Sequence, residues 1–232
     1  LYNEVKEIGE TALQLSRQVD YIYGWSLSFI VIGTIARETG RYDEARHALE
    51  EALAIARKAD LPRLAAKALH HLGALYDIQG DQAGAIAYYE QGLHAFRLIA
   101  DLHGEASTLN SLGVICRDLG HYVEAQTHYE KALQIFRDIG DRQNEGMALN
   151  NLGVLFQDQG DYVTARGYYE QDLLICKEIG DVLGESIDLT NLSLLALHAS
   201  EGETARDCAE QALTISQELA DARINLRRVQ LN

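Results

Sequence analysis

The sequence has little proline and no long apolar run. One proline, Pro62, occurs in 232 residues. Folds rich in loops usually carry more proline, because it suits turns and disrupts the interior of a helix. No stretch approaches the roughly 18 consecutive apolar residues that a membrane-spanning helix needs. We therefore expect a protein built of long helices, with no membrane partner.

Cysteine is scarce too, and its placement bears on the cellular compartment. The three cysteines are Cys116, Cys176 and Cys208, and none forms a Cys-x-x-Cys pair. An odd number at wide spacing argues against a disulfide framework and for a reducing compartment, so we expect a cytoplasmic protein. Cys116 and Cys176 recur in register with aromatic residues, which predicts a place in the core rather than a nucleophilic role.

Basic residues are outnumbered by acidic ones. The chain has 20 Lys and Arg against 35 Asp and Glu, a net charge of −15. Nucleic acid is a poor partner for such a chain, because its binding depends on neutralised phosphates. We expect the many acidic residues to lie in turns and on solvated outer faces. The chain does not begin with Met, and its charged first residues do not resemble a secretory signal, so we expect a piece of a longer protein.

A repeat of 40 residues organises the whole sequence. The clearest columns are glycine at Gly40, Gly80, Gly120 and Gly160, glycine at Gly33, Gly73, Gly113 and Gly153, and alanine at Ala45, Ala85, Ala125, Ala165 and Ala205. Leucine recurs in the same register at Leu13, Leu53, Leu93, Leu133, Leu173 and Leu213. Independent columns in one register indicate a repeat protein.

Each repeat reads as helix A, a tight turn, helix B and a second turn. In the best-preserved repeat, Leu149, Leu152 and Phe156 lie on one helical face, and Gly160 then breaks the pattern. We predict A helices near 22–39, 62–79, 102–119, 142–159 and 182–199. We predict B helices near 2–19, 42–59, 82–99, 122–139, 162–179 and 202–219, and a last helix from about Asp221.

The chain is thus predicted to be a single all-α domain. Residues 1–20 form helix B of a partial repeat, and five full repeats follow at 21–60, 61–100, 101–140, 141–180 and 181–220. Residues 221–232 begin a further or capping helix. Small residues such as Gly73 and Ala85 are expected to let helices A and B cross closely.

The turns carry suitable capping residues. Aspartates precede A helices as predicted N-caps, at Asp101, Asp141, Asp181 and Asp221. Glutamates fall in the first helical turn, where the helix dipole favours a negative charge, at Glu105, Glu145 and Glu185. Pro62 stands where a helix begins, a position that does not need its missing N–H.

These columns resemble the tetratricopeptide repeat (TPR). The matching residues are Leu72, Gly73, Tyr76, Ala85 and Tyr89 in one repeat and Leu152, Gly153, Phe156, Ala165 and Tyr169 in another. Two features depart from the common pattern: Arg97 and Arg137 stand where a proline usually ends helix B, and the period is 40 rather than about 34. The resemblance implies a right-handed α-α superhelix, or solenoid, with the A helices lining its concave side.

The long repeat places the resemblance in one branch of the family. That branch includes kinesin light chains, Pins-type polarity adaptors, and the sensor arms of bacterial signal-transduction ATPases and transcriptional regulators. The phrases Asn150-Asn151-Leu152-Gly153 and Ile179-Gly180-Asp181 resemble it closely, and the frequent Ala-Arg pairs look bacterial. The resemblance implies the sensor or regulatory part of a larger signalling protein.

Catalytic and cofactor motifs are missing from the sequence. It contains neither the phosphate-binding Gly-x-x-x-x-Gly-Lys loop nor the zinc-protease His-Glu-x-x-His pattern. His70 and His71 are adjacent, and neighbours on a helix are not expected to face each other, which argues against a metal site there. We therefore expect a non-enzymatic chain without cofactor or metal.

The predicted function is to bind a protein or peptide segment along the concave face. The residues predicted to line that face are Arg37, Lys67, His70, His71, Asn110, Arg117, Asn150, Asn151, Gln157 and Asn191. Asparagine suits the gripping of peptide amides, since it offers a donor and an acceptor. The basic members favour a partner with acidic side chains or a free carboxylate.

Two alternatives stay open at this point. The polar residues of the concave face could be there simply because that face is wet. The chain could instead be a structural scaffold or an oligomerisation element that associates with itself through exposed solenoid ends. The residues predicted for such an end are Val5, Ile8, Leu13 and Leu15.

Overall fold

The chain is all-α, as predicted. A computed structural model describes residue 7, residues 9–15 and residues 21–230, the stretch 221–230 by its backbone alone. This part of the chain contains helices and turns and no strand. The helices are α1 (Ile22–Glu38), α2 (Tyr42–Lys58), α3 (Pro62–Ile78), α4 (Gln82–Leu98), α5 (Leu102–Asp118), α6 (Tyr122–Ile139), α7 (Arg142–Asp158), α8 (Tyr162–Ile179), α9 (Val182–His198) and α10 (Gly202–Gln230).

The predicted helix boundaries are confirmed within a residue from α1 to α9. The A helices are α1, α3, α5, α7 and α9, and the B helices alternate with them. Residues 9–15 are helical, as predicted for the first B helix, but Val5 and Ile8 lie outside the described residues. None of the described helices combines the length and apolar character needed to cross a membrane.

The prediction for the end of the chain was wrong. Helix α10 runs without a break from Gly202–Gln230, so Asp221 lies inside a helix and does not begin one. Ala220 stands where Gly140 and Gly180 end the corresponding earlier helices. Ala100 stands in the same column and follows the end of α4 in a left-handed conformation, so alanine at this position does not by itself continue a helix. After Ala220, no glycine or proline follows before the end of α10.

Two compact units divide the chain, Leu1–His121 and Tyr122–Asn232. In unit 1, each of the helices α1 to α5 packs on its neighbour in sequence, and successive A helices also touch. In unit 2, neighbouring helices from α6 to α10 pack in the same way. Each unit thus buries an apolar face of every A helix against the B helices around it.

The helices end in a left-handed residue at intervals of 20 positions. Gly40, Gly80, Gly120 and Gly160 have φ between 75° and 79°, and Gly140 and Gly180 adopt the same conformation. Asp60, Ala100 and Ser200 adopt it with a side chain present, at φ of 53°, 52° and 61°. The turn geometry therefore repeats in the A-to-B and B-to-A connections alike.

The second glycine column brings helices A and B into close contact. A Cβ atom on Gly73 would lie 2.7 Å from Cδ1 of Tyr89, and one on Gly153 would lie 2.5 Å from Cε1 of Tyr169. Ala85 and Ala165, from the alanine column, are fully buried. The predicted close crossing is confirmed, and the group that occupies it is a tyrosine ring of helix B.

Aspartate N-caps begin most of the later helices. As predicted, Asp101, Asp141 and Asp181 accept a hydrogen bond from the backbone N–H three residues on, at 3.1, 3.2 and 3.0 Å. Asp81 and Asp161 cap B helices in the same way, which the sequence analysis had not predicted. Pro62 occupies the start of α3, as predicted.

Removing one cap should have a measurable cost. We expect Asp141→Ala to lower the free energy of unfolding by about 1 kcal/mol, because the backbone N–H of Asn144 loses its acceptor. Asp141→Asn is the matched control, since asparagine caps about as well as aspartate. Urea unfolding followed by circular dichroism would measure both variants, and equal losses in the two would contradict a capping role.

The residues that replace the usual proline form ion pairs with the next helix A. Arg97 Nε donates to Glu105 Oε1 at 2.7 Å, and Arg137 Nε donates to Glu145 Oε1 at 2.9 Å. The glutamates are those predicted for the first helical turn. In place of the proline that usually ends helix B, these repeats thus have an ion pair between consecutive helices.

Candidate functional site

The residues predicted for the concave face fall into different environments. Lys67, His70 and His71, on α3, line one pocket in unit 1, and Asn150, on α7, lines another in unit 2. Asn151 and Asn191 are half-buried and line neither. The structure therefore gathers four of the predicted residues at two pockets.

The remaining predicted residues are less open to a ligand. Asn110 is 9% exposed, which leaves little of its amide accessible. Arg117 Nη2 donates to Asp118 Oδ1 at 2.7 Å, and Gln157 Oε1 accepts from the Tyr169 hydroxyl at 3.0 Å. The Arg37 side chain is 18% exposed, and its Nε is buried without a hydrogen-bond partner among the described residues.

The pocket in unit 1 is rich in imidazole and basic groups. It has a volume of about 300 Å³ and lies between α3, the end of α4 and the start of α5. We call it the imidazole pocket. Its lining residues are Arg63, Lys67, His70, His71, Phe96, Asp101, His103, Gly104 and Ser107.

His70 and His71 meet in this pocket. Their ring centroids lie 5.6 Å apart in an edge-to-face arrangement, so the expectation that these neighbours point apart was wrong. Burial, with smaller contributions from Arg37 and His103, lowers the pKa of His70 to about 4. Burial followed by His70, Arg37 and Lys67 lowers the pKa of His71 to about 3. Both imidazoles are neutral near pH 7.

The pocket in unit 2 occupies the same place in the repeat, 80 residues later. It has a volume of about 180 Å³ and lies between α7, α8 and the start of α9. We call it the acid pocket. Its lining residues are Gln143, Gly146, Met147, Asn150, Asp172, Ile175, Cys176, Ile179, Asp181, Gly184 and Ile187.

Two buried carboxyl groups belong to the acid pocket: Asp172 lines it, and Asp188 contacts the lining residues Asn150 and Cys176. Asp172 is 5% exposed and Asp188 is fully buried. Asn150 Nδ2 donates to Asp188 Oδ1 at 2.9 Å. The Cys176 thiol lies 3.6 Å from Asp172 Oδ1 and 3.8 Å from Asp188 Oδ2.

Burial governs the protonation of this group. Burial, reinforced by the charge of Asp172, raises the pKa of Asp188 to about 8, and burial also raises the pKa of Asp172. Two adjacent carboxyls in a dry site share a proton more readily than they both ionise. Burial raises the pKa of the Cys176 thiol as well, which removes it as a nucleophile at neutral pH. Cys176 is a core residue, as predicted, whereas Cys116 is half-buried.

The same side chains also form a possible metal-ligand set. One ligand atom each from Asp172, Cys176 and Asp188 lies within 4.8 Å of the others. Two carboxylates and a thiolate are a plausible donor set for a divalent transition metal. This group was not predicted from the sequence, because the acidic residues were expected in turns and on solvated outer faces.

A sequence signal for the acid pair was nevertheless present. Asp172 shares its column with Ala52, Gly92 and Ala132, and Asp188 shares its column with Ser28, Ala68, Thr108 and Ala148. Charged residues in columns of small residues break the repeat pattern, which is typical of functional or strained positions.

The two pockets share a framework and differ in chemistry. His70 Nδ1 lies 3.1 Å from Thr108 Oγ1, and in the equivalent positions Asn150 bonds to Asp188. The same contact between consecutive A helices thus joins an imidazole to a hydroxyl in unit 1, and an amide to a carboxyl in unit 2. The backbone is fixed by the repeat, and the side chains set what each pocket can bind.

Comparison with known proteins agrees with this architecture. No curated protein sequence matches the chain significantly. Among solved structures, BtubC (BKLC) from P. vanneervenii is 22% identical with a TM-score of 0.83, over 95% of this chain and 92% of that one. A signal-transduction ATPase with a TPR sensor from Pyrococcus horikoshii is 16% identical with a TM-score of 0.74, over 97% of this chain and 37% of that one. A Rap protein complexed with competence and sporulation factor is 14% identical with a TM-score of 0.71, over 95% and 72%.

The TM-scores, between 0.71 and 0.83, show a shared fold. The family model for the tetratricopeptide repeat matches residues 25–97, 104–171 and 144–218, which together cover most of the chain. The match includes both glycine columns, the acid pocket, and the imidazole pocket apart from Asp101 and His103. The chain belongs to the tetratricopeptide repeat family.

Proposed function

We propose that the chain is a non-catalytic module that binds a protein or peptide segment along its A helices. Tetratricopeptide repeat proteins generally mediate interactions between proteins, and the fold is typically non-catalytic. The observation that carries the proposal is the recurrence of one pocket position with a different lining in each unit. Such variation on a fixed framework is the usual basis of specific recognition in repeat proteins.

The mouth of the acid pocket supports this role. Met147 is 51% exposed and Ile187 is 47% exposed, and both line the pocket. Asn150 lies beneath them with its amide bonded to Asp188. Apolar groups around a few fixed polar groups are typical of sites that bind a side chain.

A regulatory role within a larger protein is part of the proposal. The Pyrococcus horikoshii ATPase carries a TPR sensor, and this chain aligns with 37% of that protein. The Rap protein was solved in complex with competence and sporulation factor, so a protein of similar fold forms a complex with such a factor. We propose the same general use here, in the cytoplasm, with the ligand sensed by the A helices.

A pair of surface variants tests the binding face. We expect Met147→Glu to weaken binding of peptides that the natural sequence selects from a display library of short linear peptides, because a charge at the mouth of the acid pocket opposes burial of a ligand side chain. The matched control is Val163→Glu, since Val163 is exposed on α8 and lines neither pocket. Affinities of the selected peptides for the three proteins would be measured by fluorescence anisotropy.

The results of these measurements distinguish peptide binding at the acid pocket from self-association. Peptides that bind the natural sequence and the Val163 variant, but bind the Met147 variant at least about tenfold more weakly, support the proposal. Equal binding to all three proteins contradicts it. Light scattering at several concentrations tests the alternative, self-association, which would appear as a mass that rises with concentration.

A further inference from the structure

The imidazole pocket has more positive than negative groups facing it. The one carboxylate in its lining, Asp101, is already engaged: Oδ2 accepts from Arg63 Nε at 2.9 Å and Oδ1 accepts from the Gly104 N–H at 3.1 Å. Lys67 is exposed and forms no ion pair among the described residues. In a chain of net charge −15, such a pocket is a local exception.

The hydrogen bonds of His70 fix which of its nitrogens can take up a proton. The Thr108 hydroxyl donates its single hydrogen to the Gly104 carbonyl oxygen at 2.8 Å. Thr108 therefore accepts from His70 Nδ1, 3.1 Å away, and Nδ1 carries the imidazole hydrogen. The other nitrogen, Nε2, is left without a hydrogen and is the basic atom of the ring.

Burial and neighbouring basic groups hold this imidazole in its neutral form. Burial disfavours a positive charge there most, and Arg37 on α1 and His103 on α5 repel it as well. On α4, the Tyr89 ring lies 5.3 Å from the His70 ring between centroids and stays protonated, because burial raises the pKa of its hydroxyl to about 12. Asp101 is neutralised by Arg63, so no free carboxylate stabilises an imidazolium.

We propose that the imidazole pocket binds a carboxylate side chain of an acidic peptide segment together with one proton, which His70 takes up. This inference rests on the proposed function and names the chemistry of its ligand in unit 1. The incoming carboxylate supplies the negative charge that the pocket lacks. The proton comes from solvent and converts Nε2 into a second N–H donor, so that the bound state pairs an imidazolium and Lys67 with the anion.

The donor set favours a carboxylate over a phosphate group. Arg63, the guanidinium in the lining, is committed to Asp101 and is not free for a bidentate contact with phosphate. The groups that remain are an ammonium and imidazole N–H donors.

Binding with proton uptake has a definite pH dependence. The imidazole is unprotonated in the free protein near neutral pH and protonated in the complex, so affinity rises as pH falls between the two pKa values. For one proton the limit is tenfold per pH unit, and we expect affinity to rise about tenfold from about pH 8 to about pH 6. A pocket that bound the anion through Lys67 alone would have a flat profile over this range.

Titration calorimetry with a defined probe tests the inference. The probe is an acetylated, amidated tetraglutamate peptide, and its tetraglutamine counterpart is the uncharged control. Measurements in two buffers of different ionisation enthalpy would count the protons taken up. We expect tetraglutamate to bind with uptake of about half a proton near pH 7 and close to one proton near pH 6, and tetraglutamine not to bind.

Two variants identify the groups responsible. Lys67→Gln should weaken tetraglutamate binding by about tenfold, the loss of one charge-assisted contact, whereas Lys131→Gln, an exposed lysine of unit 2, should leave it unchanged. His70→Asn should bind with a flat pH profile and no proton uptake. If that variant does not fold, the proton count on the natural sequence decides the question.

Several results would overturn the inference. These are failure of tetraglutamate to bind at any pH, equal binding of tetraglutamine, binding without proton uptake, or displacement of tetraglutamate by inorganic phosphate at equal concentration. If peptides selected by display still depend on Met147, the proposed function stands while this inference fails. If no selected peptide depends on Met147 and tetraglutamate binds as expected, this inference stands while the proposed function fails.

Discussion

An Asp188→Asn variant is expected to be more stable than the natural sequence at about pH 8 and equally stable at about pH 4. In the folded protein the pKa of Asp188 is raised to about 8, above the value of about 3.9 in an unfolded chain. The contribution of this carboxyl to the free energy of unfolding is therefore fully present below about pH 3.9. It is lost as the pH rises toward 8. Asparagine is isosteric with the protonated acid and does not ionise.

The expected gain is about 2 kcal/mol in the free energy of unfolding at about pH 8, since a single pKa unit corresponds to about 1.4 kcal/mol and relaxation of the site reduces the total. Urea unfolding at a series of pH values would measure it as a difference between variant and natural sequence. Asp207→Asn is the control, because Asp207 is exposed on α10. A variant less stable than the natural sequence across the whole range would show that the ionised carboxylate stabilises the fold.

The second large effect is expected from one substitution made at two glycines of unit 2. Gly153→Ala should lower the free energy of unfolding by about 1–3 kcal/mol, because the new methyl group overlaps the Tyr169 ring. That ring is fully buried and its hydroxyl donates to Gln157 at 3.0 Å, so it has little room to move. Gly167→Ala should instead raise stability by about 0.5–1 kcal/mol, because Gly167 is inside α8 and nothing lies within 4 Å of the added atom.

Thermal unfolding of both variants beside the natural sequence would test this pair. The opposite signs are the informative result, since both changes are chemically identical and both lie in helices. A loss of similar size at both positions would indicate that helix backbone effects, rather than the contact with Tyr169, decide the outcome.

The sequence predicted the fold because the repeat displays the same constraint several times over. Gly33, Gly73 and Gly153 each face a side chain of the following helix, so the column records one packing requirement. The helix boundaries followed from the turns between them. A helix beginning at Asp221 was mispredicted, because Asp221 matches the cap column although α10 does not end before it.

The candidate site was less predictable, because its chemistry depends on side chains that meet across helices. Asn150 was identified from its column, but its partner Asp188 lies 38 residues away and contacts it only when α7 and α9 pack together. His70 and His71 were treated as pointing apart, since helix geometry alone does not include the rotamers that bring the rings together. Departures from a column, such as Asp172 among small residues, were the available signal for such contacts.

The left-handed turn residues constrain how the length of this chain can change in evolution. They recur every 20 residues, at glycine and at Asp60, Ala100 and Ser200 alike, whereas the packing columns recur every 40. An insertion or deletion of 20 residues would preserve every turn but would exchange the surroundings of the two kinds of helix. The Gly153 position would then face a partner with no matching ring, and each pocket would lose one of its walls. We therefore expect this chain to tolerate insertion or deletion of whole pairs of helices and not of single ones.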